Sequence, residues 1–143
     1  MSNHHIGKYL SIAHRTHTKL IDKIFKSKFD LNYGQVFILS KIYKNNSINQ
    51  HKLCEEYSLD KAGVGRILKK LEEKNFIKRK SDPEDKRSKK IYLTKKSKNV
   101  KEMFFKLFDK IEEQIKKDLS KEEIDTLINL LKKVRVNLDT LEG

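Results

Sequence analysis

Lys61, Arg66, Lys69 and Lys70 stand at helical spacing, and Arg79, Lys86, Arg87, Lys89 and Lys90 follow them closely in the chain. Ammonium and guanidinium groups share one chemistry in such an array, the donation of charge-assisted hydrogen bonds to oxyanions. Arginine adds a flat fork that fits a phosphate or the O6/N7 edge of guanine. Residues 61–101 hold sixteen Lys and Arg against five Asp and Glu, a net +11. Residues 1–60 carry only +4 and residues 102–143 carry −2. Most of the chain's +13 therefore lies on less than a third of its length, which reads as a surface for a polyanion. Lysine outnumbers arginine 28 to 5. An AT-rich genome would inflate total lysine, but it would not leave the last segment net acidic.

Other chemistries find no support. There is no glycine-rich phosphate loop, no Ser/His/Asp arrangement and no cluster of acids beside a base, so an enzyme is not expected. His14 and His17 lie three apart and could share a metal, and His4 and His5 lie near the N-terminus. No cysteine or acidic cluster joins them, so neither a metal nor another cofactor is expected. Cys54 is the single cysteine; it excludes an intramolecular disulfide, fits a reducing compartment and reads as a small buried hydrophobe. Met1 to Gly7 show no basic-then-apolar signal pattern, and no window reaches 18 apolar residues. A soluble cytoplasmic protein is expected, with no membrane partner. The 143 residues suit one domain, and 36% apolar against 37% charged suits helices with wide solvated faces. One proline and five glycines leave few breaks, so the helices should be long.

The elements that must position the cations follow from periodicity. Ile6, Tyr9, Leu10, Ala13, His17, Leu20, Ile21 and Ile24 predict a helix from about Ile6 to Lys26. Asp30-Leu31-Asn32 breaks it, and Asn32 caps a second helix running through Val36, Leu39 and Ile42 to about Lys44. After the turn cluster Asn45-Asn46-Ser47, Asn49 caps a short helix from Gln50 to Tyr57 that buries Leu53 and Cys54. Asp60 caps the next, with Leu59 and Val64 placed for a hydrophobic staple and Val64, Ile67, Leu68 and Leu71 as its buried stripe. Asn75 can end it in the left-handed conformation. Two short helices separated by Tyr57-Ser58-Leu59 match a helix-turn-helix.

Phe76–Lys80 and Lys90–Thr94 have strand composition, with residues 81–89 as a polar loop between them, and a hairpin in that place is a wing. Thr94 caps a long helix lined by Val100, Met103, Phe104, Leu107, Phe108, Ile111 and Ile115. Ser120-Lys121-Glu122-Glu123 is a capping box. Ile124, Leu127, Leu131, Val134, Leu138 and Leu141 then form a coiled-coil-like seam. The seam can fold back on its own core or pack on a second subunit. The scarcity of apolar cover elsewhere points to the second subunit.

This order of elements resembles the MarR family of winged helix-turn-helix transcription regulators. Leu59 to Ile77 (LDKAGVGRILKKLEEKNFI) and Asp82 to Thr94 (DPEDKRSKKIYLT) carry the resemblance, above all Asp85-x-Arg87 followed by basic residues and Leu93-Thr94. It implies a mainly α fold with a small β-hairpin wing. Residues 31–94 would form the winged helix-turn-helix lobe and residues 1–30 with 95–143 the dimerisation helices, in one continuous domain. It implies a homodimeric repressor on a pseudo-palindromic operator in double-stranded DNA.

The second helix of such a motif enters the major groove with its N-terminal part against base edges. Here that part is Lys61, Ala62, Gly63, Gly65 and Arg66, with Lys69 and Lys70 behind. The family commonly has small hydroxyl residues at this point. Two glycines in their place cost about 1 kcal/mol each in helix stability, let the backbone approach DNA closely and read no base themselves. Specificity then leans on Lys61, Arg66 and DNA shape. By the resemblance Arg87 is the wing-tip arginine for an A·T-rich minor groove, oriented by Asp85, while Arg79, Lys86, Lys89 and Lys90 grip phosphates. Asn49 and Gln50, at the start of the preceding helix, are expected to give phosphate hydrogen bonds through side chain or backbone amide.

Family members are released by small aromatic acids or by thiol oxidation. His14, His17, Tyr33 and Phe37 are the candidates for an aromatic effector's crevice, although four-residue spacing also makes Tyr33 and Phe37 core residues. Peroxide-sensing relatives carry their cysteine near the start of the first helix, where this chain has Ser11 and Ile12, so redox sensing is not expected. Two other readings of the basic patch are a sequence-independent architectural DNA-binding protein and a protein-interaction module that uses the C-terminal seam.

Overall fold

The computed structural model describes residues 5–141. Six helices and one hairpin follow in the order α1 (Ile6–Phe29), α2 (Tyr33–Lys44), α3 (Gln50–Glu56), α4 (Lys61–Glu73), β1 (Ile77–Asp82), β2 (Asp85–Leu93), α5 (Lys95–Lys116) and α6 (Lys121–Asp139). The chain divides into two compact units, one reaching to Leu107 and one running from Phe108, so the division falls within α5. No described helix is long and apolar enough to cross a membrane.

The first unit is organised by caps. The Asn32 side chain accepts from the Gln35 amide (3.0 Å) and the Gln35 side chain accepts from the Asn32 amide (3.1 Å), a reciprocal box that starts α2. Asp22 of α1 accepts from the Tyr33 amide at 2.6 Å, which ties the start of α2 to α1. Asn49 caps α3 through the amides of His51 and Lys52, Asp60 caps α4 through that of Gly63, and Thr94 caps α5 through that of Ser97. α1 runs three residues past its expected end, and Asp30 closes it at a left-handed φ of 55°.

Between the caps lies one core. Val36, Ile38, Leu39 and Ile42 of α2 are buried together with Leu53 of α3, Val64, Leu68 and Leu71 of α4, and Phe76, Ile77 and Ile91 of the hairpin. Each such side chain contributes about 1.5–3 kcal/mol on leaving water. α4 approaches α2 closely at Gly34, where an added Cβ would lie 3.3 Å from Ile67 Cδ1. Phe104 of α5 meets Phe25 and Tyr43 at ring centroid distances of 5.1 and 5.0 Å. The Tyr43 hydroxyl donates to the Ser97 carbonyl (2.6 Å), and burial pushes its pKa up to about 12.

The hairpin differs most from expectation. Its strands run to Asp82 and from Asp85, so residues 81–89 are not a loop; only Pro83 and Glu84 turn. Ile77 pairs with Leu93 and Lys80 with Lys90, and the register shifts between Ser81 and Asp82. The hairpin is held from outside as well. Ile91 donates to the Ile48 carbonyl at 2.9 Å, Asn49 bridges Lys90, and in the added length Asp82 and Ser88 accept from Asn49 and His51.

The second unit holds the end of α5 and all of α6. Asp118, at φ 64°, separates the helices, and the Ser120–Glu123 box starts α6 as expected. Of the expected seam, Leu127, Leu131, Leu138 and Leu141 are exposed, while Ile124 and Val134 are half-buried. In the first unit Ile6, Tyr9 and Ile12 of α1 are exposed too.

Candidate nucleic-acid interface

Lys61, Ala62, Arg66, Lys69 and Lys70 of α4 are exposed, with Gly63 and Gly65 half-buried among them. This alternation follows from the opposite face: Val64, Leu68 and Leu71 are pinned in the core, so the residues between them must face out. A Cβ added at Gly65 would meet nothing within 4 Å, whereas one at Gly63 would come within 3.2 Å of the Asp60 cap. Lys70 pairs with Glu73 at 3.5 Å. On a surface this open, such a pair contributes little.

The wing supplies the second group. Lys86, Arg87 and Lys89 are exposed, and Lys90 and Asp85 are partly covered. Arg87 turns on Asp85: its amide and its Nε both donate to Asp85 Oδ1, each at 3.1 Å, while its side chain stays 88% exposed. The hydrogen bonds from Arg87 hold the Asp85 carboxyl below its ordinary range. The fork is thus aimed by its root and left open at its tip.

A cleft of about 410 Å³ joins the two groups. Lys61 lines it from α4, Gln50 from α3, Arg79 from β1, and Asp85, Arg87 and Lys89 from β2. The first turn of α4 and the arginine of the wing therefore share one concave cationic surface.

Two expected phosphate contacts are turned inward. The Asn49 side chain is buried: its Nδ2 donates to Asp82 Oδ2 (2.7 Å) and its oxygen accepts the α3 amides, so it serves the fold at this point. Arg79, 15% exposed, donates to Glu72 (3.1 Å) and to Gln50 (3.4 Å) rather than facing solvent. Its Nε is buried without a hydrogen-bond partner among the described residues. Gln50, the acceptor for Arg79, is partly buried.

Sequence reasoning missed the acceptors. Asp82 receives both Asn49 Nδ2 and the Glu84 amide, and these bonds lower its pKa, Asn49 first. Ser88 Oγ accepts from the His51 amide at 3.1 Å, linking wing and α3. The Asp82-Pro83 pair signalled a turn, but nothing near Glu72 or Ser88 in the chain signalled their partners.

The effector candidates do come together. The His14 and His17 rings stand edge-on to Tyr33 at 5.8 and 6.2 Å, and Tyr33 stacks on Phe37 at 6.0 Å. Lys41 Nζ sits over Phe37 and Tyr57, 4.2 and 3.8 Å from the ring centres. His14 is exposed and the other three rings are half-buried. Cys54 is buried, and burial raises its thiol pKa, the reverse of what a reactive thiolate needs. Among the described residues no three of His, Cys, Asp and Glu are grouped to hold a metal ion, and His4 lies outside them.

Comparison with known proteins gives a consistent result. Residues 31–89 match the model of the MarR family. YybA of Bacillus subtilis, an uncharacterized HTH-type transcriptional regulator, is 33% identical over 124 residues, covering 85% of this chain and 83% of the relative. The crystal structure of the transcriptional regulator SlyA superposes with a TM-score of 0.83 at 30% identity over 93% of each chain. A mutant MarR from E. coli complexed with operator DNA superposes with a TM-score of 0.81 at 26% identity, over 90% of this chain and 92% of the other.

Proposed function

This chain belongs to the MarR family, and its relatives are transcription regulators rather than enzymes; from that premise we propose that two copies of it bind a pseudo-palindromic operator and repress transcription. Residues 31–94 are the DNA-binding lobe in this reading, and residues 1–30 with 95–143 are the dimerisation region. α4 enters the major groove. Lys61 and Arg66 meet base edges, Ala62, Gly63 and Gly65 admit the groove wall, and Lys69 and Lys70 lie along phosphates. Arg87 enters the flanking minor groove, with Lys86, Lys89 and Lys90 on the backbone. The observation that carries this is the shared cleft, which puts Lys61, Arg87 and Lys89 on one surface. The operator complex of the E. coli relative supports the choice of partner. The exposed leucines of α6 and the exposed Ile6, Tyr9 and Ile12 of α1 support the second copy, since apolar side chains left in water by one chain are available to another.

A salt titration tests the reading. If about six to ten phosphates are neutralised per dimer, operator affinity falls about 10³–10⁵-fold between 50 and 200 mM salt. A flat response would remove the electrostatic basis of the proposal. The same titration run with benzoate tests the effector, which in this reading lies against the rings of His14, His17, Tyr33 and Phe37. Benzoate should weaken operator binding by wild type and leave Tyr33→Ala unaffected; equal effects on both place the effector elsewhere.

A further inference from the structure

Arg79 sits where three elements meet. It stands on β1, its NH2 group donates to Glu72 in the last turns of α4, and its NH1 group donates to Gln50, the first residue of α3. Arg79 is also among the residues that line the cleft with Lys61, Arg87 and Lys89. A guanidinium stays charged at every accessible pH, and removing it from water is costly unless a partner offsets the cost. Here a single carboxylate does so, and Nε stays unsatisfied. A lysine could not take this place, because a point charge cannot hold two acceptors in one plane at a fixed separation.

We infer that Arg79 and Glu72 form a positioning strut, which fixes the recognition helix α4 against the wing and so sets how well both fit one operator. This rests on the DNA-binding reading above and gives Arg79 a different part from that of a phosphate contact. It also gives Glu72 a part. An acid inside a segment of net +11 repels phosphate, and its cost to DNA binding is offset only if it holds the binding elements in place.

The two roles differ in sign at Glu72. Glu72→Gln is nearly isosteric and removes a negative charge. If electrostatics alone mattered, it would tighten binding to any duplex. The strut predicts that operator affinity falls about tenfold, the worth of one misplaced base contact, while affinity for a random duplex of equal length holds or rises. Arg79→Gln and Arg79→Lys should show the same selective loss, with the operator's salt slope unchanged. The inference is overturned if Glu72→Gln binds the operator as tightly as wild type or better, or loses operator and random duplex equally. It is also overturned if Arg79→Lys restores wild-type affinity, or if Arg79→Gln lowers the salt slope by about one, the mark of a lost phosphate contact. Should Arg79→Gln fail to fold, Glu72→Gln decides alone. A wild-type protein that cannot tell operator from random duplex sinks the proposed function first, and the strut with it.

Discussion

Arg87 is held at its root and open at its tip within three residues of chain. Its amide and its Nε share one oxygen of Asp85, two residues away, and the rest of the guanidinium stands in solvent. Arg87→Ala should therefore leave the melting temperature unchanged and weaken operator binding about 10–100-fold, as measured by parallel melts and titrations. That pairing was legible in the sequence because it is local. The commitments of Arg79 and Asn49 were not, since Glu72 lies across the junction between α4 and β1 and Asp82 lies at the far end of β1 from Asn49 in the chain. Tertiary placement gives both side chains protein partners that their types alone do not announce. The acceptors also set the acid response. Glu72, Asp82 and Asp85 all have pKa values lowered by their donors, Arg79, Asn49 and Arg87. A carboxylate depressed in the folded state contributes stability that is present above its unfolded pKa and lost as pH falls through the folded value. Melting temperature should thus be level from about pH 5 to 7 and decline only below about pH 4. A decline beginning near pH 6 would implicate histidine instead.

At the scale of elements, the helices end in an unusual currency. Asp30, Ser47, Ser58, Asn75 and Asp118 all take positive φ, between 51° and 65°, and none of the described glycines does. A side chain in that region costs about 1–2 kcal/mol, partly offset by the lower entropy loss of a non-glycine residue. Ser58→Gly, between α3 and α4, should accordingly raise stability by about 0.5–1 kcal/mol in urea unfolding, and a loss would mean that the serine side chain is needed there. Asn32, Asp60, Thr94 and Ser120 mark helix starts in the sequence and in the fold alike, because capping is a contact within three residues. The hairpin was half legible. Its strand Asp85–Leu93 is largely polar over the first half, with few apolar residues to alternate, so composition read it as loop. The extra residues are held by the Asn49–Asp82 and His51–Ser88 hydrogen bonds, both long-range. Lysines along such a hairpin also discourage pairing with other chains at its edge.

The whole molecule separates its tasks by charge and by apolar exposure. The net +11 of residues 61–101 accompanies the lobe that would meet DNA, and the net −2 of residues 102–143 accompanies the helices with exposed leucines. In the proposed dimer the exposed apolar side chains of this segment, not its small net charge, would draw a second copy, while the net −2 gives a phosphate backbone no attraction. Helix-turn-helix dimers place their half-sites about one helical turn apart, roughly 10 base pairs, or a multiple of it. Selection of binding sequences from a random duplex pool examines the recognition helix, the wing and the dimer together. The selected pool should converge on an inverted repeat with that spacing and with A·T pairs where the two wings fall. A pool that stays random, or converges on a single unpaired half-site, would contradict the account.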